Sequence, residues 1–328
     1  MFAIGIVLFF NRLLKKYASK KTDLYRLNAS IASFFFITIF LGYATYSRNL
    51  VWKSPENFWF NILQNAPKKA RGYNNYAVAL AEKGRFENAI PYFRKAIHID
   101  RNYPDPWSNI SVCYASIGKA DIAIDCLRQA IQINPGYPEF YNNLASYVLQ
   151  KGNTEEAKKL AQHAIALRPH YGKAYFNWGQ ALYNEGKKEE GLEKIKHSCL
   201  KADYDVFETF KVYAEVSVEL KKYEDALIGY THIAQLQPGN KDAIFNIGNA
   251  HFFLGHHQEA QQVYESLLQQ DPTEYRCWLN LAEIHKEKND LAQALACYEK
   301  AQPMASYYPE VTLRLAECQQ LSQQTYRA

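Results

Sequence analysis

Trp107-Ser108-Asn109-Ile110-Ser111-Val112-Cys113-Tyr114, followed by Gly118, Ala123, Ala130 and Pro135, is one cycle of a pattern that recurs down the chain. A small residue stands at Ala77, Ser111, Ala145, Gly179, Ala214, Gly248 and Ala282, in steps of 34, 34, 34, 35, 34 and 34. Twelve residues after each comes Ala89, Ala123, Ala157, Gly191, Ala226, Ala260 or Ala294. Four before each sits Tyr73, Trp107, Tyr141, Tyr175, Phe210, Ile244 or Trp278. Gly84, Gly118, Gly152, Gly186 and Gly255 fall in mid-cycle, and Pro135, Pro169, Pro238 and Pro272 close four cycles. Apolar residues three and four apart form one stripe on each of two short helices per cycle. A lone cycle cannot bury its stripe, so neighbours must stack. The small residues let the two helices approach closely, and the mid-cycle glycine ends the first helix where the chain reverses.

This pattern resembles the tetratricopeptide repeat, a 34-residue helix-turn-helix with W-x2-L-G-x2-Y, then Ala, an aromatic and Pro. The resemblance covers 70–308 as seven repeats starting near 70, 104, 138, 172, 207, 241 and 275. It implies an all-α fold: a right-handed superhelical α-solenoid of stacked hairpins. Residues 54–69 read as a capping half-repeat, because Ser54-Pro55-Glu56 supplies an N-cap, an N1 proline and a first-turn acid. Residues 309–328 read as a C-terminal capping helix with Val311, Leu315, Cys318 and Leu321 on one face. Around 191–212, Gly191 and Ser198 replace expected alanines, Lys201-Ala202-Asp203 lacks the closing proline and one residue is inserted. Altered curvature or easier opening is expected there, with a tolerated loop insertion as the alternative.

The chain has 328 residues, 48% apolar and 22% charged, which excludes a disordered chain. Six cysteines are too sparse for a disulfide scaffold, show no metal spacing, and read as small buried hydrophobes. Catalytic and nucleotide-binding motifs are absent, so neither an enzyme nor a small-molecule cofactor is expected. His256-His257 reads as a solvated turn, and His251 and His285, one repeat apart, as hydrogen-bonded structural histidines.

Charge is divided unevenly. Up to Lys53 there are eight basic residues and one acid, while the rest of the chain carries 30 basic and 32 acidic groups. The repeats therefore lack the basic surplus that nucleic acid requires, and no nucleic-acid partner is expected. Between Arg26 and Arg48 no charge occurs, and residues 27–47 are expected to span a membrane. Tyr43, Tyr46 and Trp52 suit the interface beyond it. Residues 1–26 comprise a partial apolar segment, Met1 to Asn11, and a basic loop, Arg12 to Arg26. Positive-inside bias puts that loop in the cytoplasm and the repeats outside it. The unpaired thiols fit a reducing compartment slightly better, which pulls the other way.

Two residues before each small residue stands Asn75, Asn109, Asn143, Asn177, then Val212, then Asn246 and Asn280. An amide offers both a donor and an acceptor. A row of amides at repeat spacing can grip the backbone of an extended peptide whatever its sequence. The row resembles the asparagine ladder in the repeats of the O-linked N-acetylglucosamine transferase, which holds extended polypeptides in the concave groove. The resemblance implies a protein or extended-peptide partner held by these six residues. The alternative is that asparagine is a tolerated polar residue of the repeat, and Val212 interrupts the row. Asn74, Asn142, Gln180, Asn249 and Glu283 are further groove candidates, with Tyr183 and Phe252 as apolar anchors.

Ser47-Arg48-Asn49 through Trp59, Pro67 and Arg71-x-x-Asn74-Asn75, directly after an apolar span, is similar to multi-pass bacterial membrane proteins with C-terminal repeat arrays, including O-mannosyltransferase-like ones. That likeness implies an integral protein of the bacterial inner membrane with its repeats in the periplasm. Met1 to Asn11 has the length of half a membrane helix, as if the natural chain began earlier. Three functions compete: a non-catalytic membrane-anchored scaffold, an acceptor-presenting C-terminal part of a membrane glycosyltransferase, and a co-chaperone with a carboxylate clamp. The last lacks the partner lysines and arginines the clamp needs.

Overall fold

The helices that the 34-residue period demands are present in the computed structural model, which describes residues 21–200, 206–304 and 309–327. Met1 to Asn11, the start of the basic loop and Lys201-Ala202-Asp203 lie outside the described residues. Among the described residues there are seventeen helices and no strand. They fall into two compact units, Met1–Cys126 and Leu127–Ala328, and the division cuts one helix, Ala120–Ile133.

The first unit opens with α1 (Lys21–Val51), a 31-residue helix that begins inside the stretch read as loop. Its window Ile31–Leu50 is 20 residues long, and none of it is buried. The window lies a few residues further along than the 27–47 read from the charge gap. Phe36, Ile39 and Tyr43 stand wholly outward, at 73%, 69% and 69% exposure. The hydroxyls of Thr38 and Thr45 donate to the carbonyls of Phe34 and Leu41, each at 2.8 Å, so neither needs water. After a short turn comes α2 (Pro55–Asn65), capped as its sequence requires: Ser54 Oγ accepts from the Asn57 amide at 3.2 Å. Trp52 and Phe58 pack ring on ring at 4.8 Å across the α1–α2 turn. Glu56 is paired with Lys83 at 2.7 Å and also with Arg85, which fixes α2 to the first repeat.

That repeat is α3 (Ala70–Ala81) and α4 (Phe86–Ile99); the second begins with α5 (Pro104–Ser116) and α6 (Ala120–Ile133). Ala77 and Ala89 of the first repeat and Ser111 and Ala123 of the second, the small residues of their helices, are all without solvent exposure.

The second unit continues the pairing with α7 (Pro138–Gln150) and α8 (Thr154–Leu167), α9 (Gly172–Asn184) and α10 (Lys188–Leu200), and α11 (Phe207–Glu219) and α12 (Tyr223–Leu236). Then come α13 (Lys241–Phe253) and α14 (His257–Gln270), α15 (Tyr275–Glu287) and α16 (Leu291–Ala301), and the last helix α17 (Pro309–Arg327). Val311, Leu315 and Cys318 of α17 are buried, whereas Leu321 on the same stripe stays 41% exposed.

In the fourth repeat the crossing is backbone against backbone. A Cβ placed on Gly179 would lie 2.8 Å from the Gly191 carbonyl oxygen, and one on Gly191 would lie 2.7 Å from the Gly179 oxygen. Part of the region read as a weak point is thus a close backbone-to-backbone approach. Gly191 stands where even alanine does not fit. Ser198 is buried too, and its hydroxyl donates to the Gly172 carbonyl at 2.8 Å, a bond alanine cannot make. Lys196 pairs with Asp225 at 2.8 Å, and the Tyr213 hydroxyl donates to the same carboxylate at 2.8 Å, tying the fourth repeat to the fifth.

Turns between paired helices share one backbone device. The five mid-cycle glycines have φ between 73° and 84°. The two repeats without such a glycine put Lys221 (φ 56°) and Asn289 (φ 59°) in the slot. Left-handed backbone costs a residue with a side chain about 1–2 kcal/mol, and asparagine tolerates it better than lysine. The entropy lost on ordering a glycine offsets roughly 0.5–1 kcal/mol of any gain.

Two substitutions test this packing. Lys221→Gly should stabilise the protein by about 0.5 kcal/mol, seen as a higher denaturant midpoint with an unchanged slope. Gly191→Ala should destabilise it by about 1–3 kcal/mol, because overpacking against backbone outweighs the gain of at most about 1 kcal/mol in helix propensity. A midpoint raised by Gly191→Ala would contradict the crossing geometry.

Candidate functional site

Within each unit, the small residue that packs inward fixes the rotation of its repeat's first helix. Two residues before it, the side chain lies at the edge of the packed face. Asn75, Asn109, Asn143, Asn246 and Asn280 are half-buried there, and Asn177 is buried. Asn75 and Asn109 belong to the first unit and the other four to the second.

These amides bond to one another rather than standing free. In the first unit Asn109 Nδ2 donates to Asn74 Oδ1 at 3.0 Å, and Asn74 Nδ2 donates to Asn75 Oδ1 at 3.0 Å. In the second, Asn177 Nδ2 donates to the Asn142 carbonyl at 3.1 Å and to its Oδ1 at 2.9 Å, while Asn142 Nδ2 reaches Asn143 Oδ1 at 3.4 Å. Asn280 Nδ2 donates to Asn249 Oδ1 at 2.7 Å, and Asn249 Nδ2 donates to Asn246 Oδ1 at 3.1 Å. Three couples thus join adjacent repeats: Asn74 with Asn109, Asn142 with Asn177, and Asn249 with Asn280. Asn177 and Asn280 spend both N–H donors in this way, and Asn74, Asn109, Asn142 and Asn249 spend one each. Asn75, Asn143 and Asn246 are half-buried, each accepts one of these bonds, and their own Nδ2 groups make no hydrogen bond among the described residues.

Tyr264 works in the same network: its hydroxyl donates to Asn249 Oδ1 at 2.8 Å and lies 3.0 Å from Asn280 Nδ2. Burial pushes this phenol well above its usual range. One repeat on, the Tyr298 hydroxyl donates to Glu283 at 2.7 Å, and Arg314 of α17 bonds the same carboxylate at 3.0 Å. Glu283 is therefore part of the end cap. The sequence signal for these hydroxyls is the step from Tyr264 to Tyr298, one period apart on the second helices.

At the interruption the face changes character. Val212 is half-buried against the core beneath α11. A cavity of about 330 Å³ opens there, lined by Leu149, Gln180, Tyr183, Asn184, Ile195, Val212, Glu215, Val216 and Glu219. Gln180 and Tyr183 are thus brought together, whereas Phe252 stands elsewhere, edge-on to His257 at 5.6 Å. Glu219 is held by the Lys188 ammonium and the Tyr183 hydroxyl, and the lysine first and the phenol second lower its carboxyl below the usual range.

Among the histidines singled out in the sequence, His251 differs from its reading. His251 is half-buried beside His256, ring centroids 5.7 Å apart, and its Nδ1 has no hydrogen-bond partner. Burial first, and the neighbouring imidazole second, lower its pKa. Unnoticed in the sequence, His163, His197 and His232 cap the aromatic of their own repeats, Tyr141, Tyr175 and Phe210, at 4.2, 4.1 and 4.4 Å. Among the described residues no three His, Cys, Asp or Glu side chains converge as a metal site. The six cysteines are unpaired and buried. Burial raises the Cys113 and Cys126 thiols to about 11 and Cys277 to about 12.

Comparisons with known proteins agree with the geometry. Family models described as tetratricopeptide repeat match residues 80–147 and 254–306, and another of the same description matches 144–199. No curated protein matches the chain by sequence. Among solved structures, pilF of Pseudomonas aeruginosa superposes with a TM-score of 0.52 at 18% identity, covering 63% of this chain and 94% of that one. The C-terminal part of a TPR repeat-containing protein from Cytophaga hutchinsonii gives 0.57 at 17% identity, covering 73% of this chain and 98% of that one. At such identities the likeness is one of fold. Helix pairs in steps of 34 residues, small residues at each crossing and these matched segments together make the chain a member of the tetratricopeptide repeat family.

Proposed function

We propose that the protein is a non-catalytic, membrane-anchored scaffold whose first-helix face holds an extended segment of a partner protein outside the cytoplasm. The fold is typical of protein–protein interaction, and the site gives that general role a form. The observation that carries it is the set of half-buried amides, Asn143 and Asn246 in the second unit and Asn75 in the first, each of which accepts one bond and donates none among the described residues. Their neighbours Asn74, Asn142 and Asn249 hold these side chains in fixed orientation, so little freedom is lost when a peptide backbone is bound. Asn109, Asn177 and Asn280 serve the same face indirectly, as the donors that lock it.

The anchor rests on α1. Its 20-residue apolar window reaches about 30 Å at roughly 1.5 Å per residue, enough for a bilayer core. Among the described residues none buries this window, and its threonine hydroxyls are satisfied within the helix. Six basic residues from Arg12 to Arg26 precede it and only Arg48 and Lys53 follow closely, which favours repeats on the far side. Buried thiols react slowly with oxidants, so six unpaired cysteines are compatible with an oxidising compartment.

Two measurements test this reading. A photo-crosslinking residue in place of Asn143 or Asn246 should give discrete protein adducts in membranes, while the same residue at exposed Gln129 or Glu189 should give none. Equal labelling on both faces contradicts groove binding. Alkaline phosphatase fused after residue 60 should be active; an inactive fusion reverses the orientation.

A further inference from the structure

Where Val212 interrupts the asparagine row, the face becomes a pocket with a distinct chemistry, and we propose that this pocket takes a lysine or arginine side chain of the bound segment. The proposal rests on the groove reading and adds the specificity that the asparagines lack. Val212, Glu215, Val216 and Glu219 lie three, four and seven residues apart and so share one face of α11. Across from them stand Leu149 of α7 and Tyr183 of α9. The floor is apolar: Leu149, Ile195 and Val216 are buried, and Val212 is half-buried. A volume of about 330 Å³ lies at the small end of ligand pockets, which run from roughly 300 to 1,000 Å³. It is the size for one long side chain.

Charge decides which side chain. The lining includes two carboxylates and no basic residue. Glu219 is already neutralised by Lys188 and the Tyr183 hydroxyl. Glu215 remains. Its equivalents in the next two repeats are tied into the fold, Asn249 by Tyr264 and Glu283 by Tyr298 and Arg314. Tyr230, the matching tyrosine of the fifth repeat, makes no hydrogen bond to Glu215; burial first and the Glu215 charge second raise its phenol. Glu215 is exposed at the pocket rim. An aliphatic stem laid on Val212, Val216 and Leu149 brings a terminal cation to this carboxylate, as long basic side chains commonly do with an apolar surface. An apolar side chain fills the floor but leaves Glu215 unanswered, and an acidic one is repelled.

The test is a selection of random seven-residue peptides on the detergent-solubilised full chain, read by sequencing. Lysine or arginine should be enriched about tenfold over leucine at one fixed position of the selected peptides. Glu215→Gln, a surface change, should reduce that preference to under about twofold, and Glu215→Lys should turn it toward aspartate and glutamate at the same position. Selected peptides with no fixed basic position, or a basic preference that survives Glu215→Gln, overturn the pocket assignment while leaving the groove in place. Failure to enrich any peptide overturns both.

Discussion

Where paired helices cross, one side of the meeting has almost no side-chain volume, and much of the molecule is arranged around those meetings. Gly179 with Gly191 and Ala214 with Gly229 bring the backbones close, and Gly248 makes room for the Tyr264 ring. Interior packing at crystal-like density makes such crossings intolerant of added atoms. The crossing also fixes each helix in rotation. With Ala145 or Gly248 turned inward, the residue two positions earlier has a single place to point. The functional face follows from the packing rather than being added to it.

The architecture was legible because volume is written directly in residue type. Seven small residues at one spacing require a stack of hairpins, and the glycines in mid-cycle mark the turns. What the sequence hid were interactions that depend on reach. Gly191 reads as a defect in an alanine position, yet it answers the Gly179 backbone opposite. Ser198 reads as a poor alanine, yet it bonds the Gly172 carbonyl across the packed interior. Lys221 carries no turn signal at all, although it occupies the same left-handed slot as the glycines.

The asparagine row was legible as a pattern and only partly as chemistry. Spacing places Asn109, Asn177 and Asn280 on one face, but spacing does not say that their donors are consumed by Asn74, Asn142 and Asn249 of the preceding repeat. Nor does Val212 announce a pocket, because its neighbours Leu149 and Tyr183 arrive from other repeats. The hydroxyl of Tyr264 joins this network from a second helix, a partnership fixed by side-chain length. Contacts of this kind are invisible to a period and become apparent only when the hairpins are set side by side.

The seams between repeats are not held by the same forces. Third to fourth is joined by the buried Asn142–Asn177 couple, and sixth to seventh by Asn249–Asn280. Between fourth and fifth, where valine replaces asparagine, the polar links are Lys188 with Glu219 and Lys196 with Asp225, charges near the surface. Salt weakens surface charges far more than it weakens buried neutral amides. Third to fourth also pairs Lys158 with Glu185 and sixth to seventh Arg276 with Asp242, so of these three seams the one beside the pocket differs in having no amide couple beneath its charges. Moving the protein from dilute to concentrated electrolyte would loosen that seam first of the three, changing the fit of whatever lies along it while the other two keep their register.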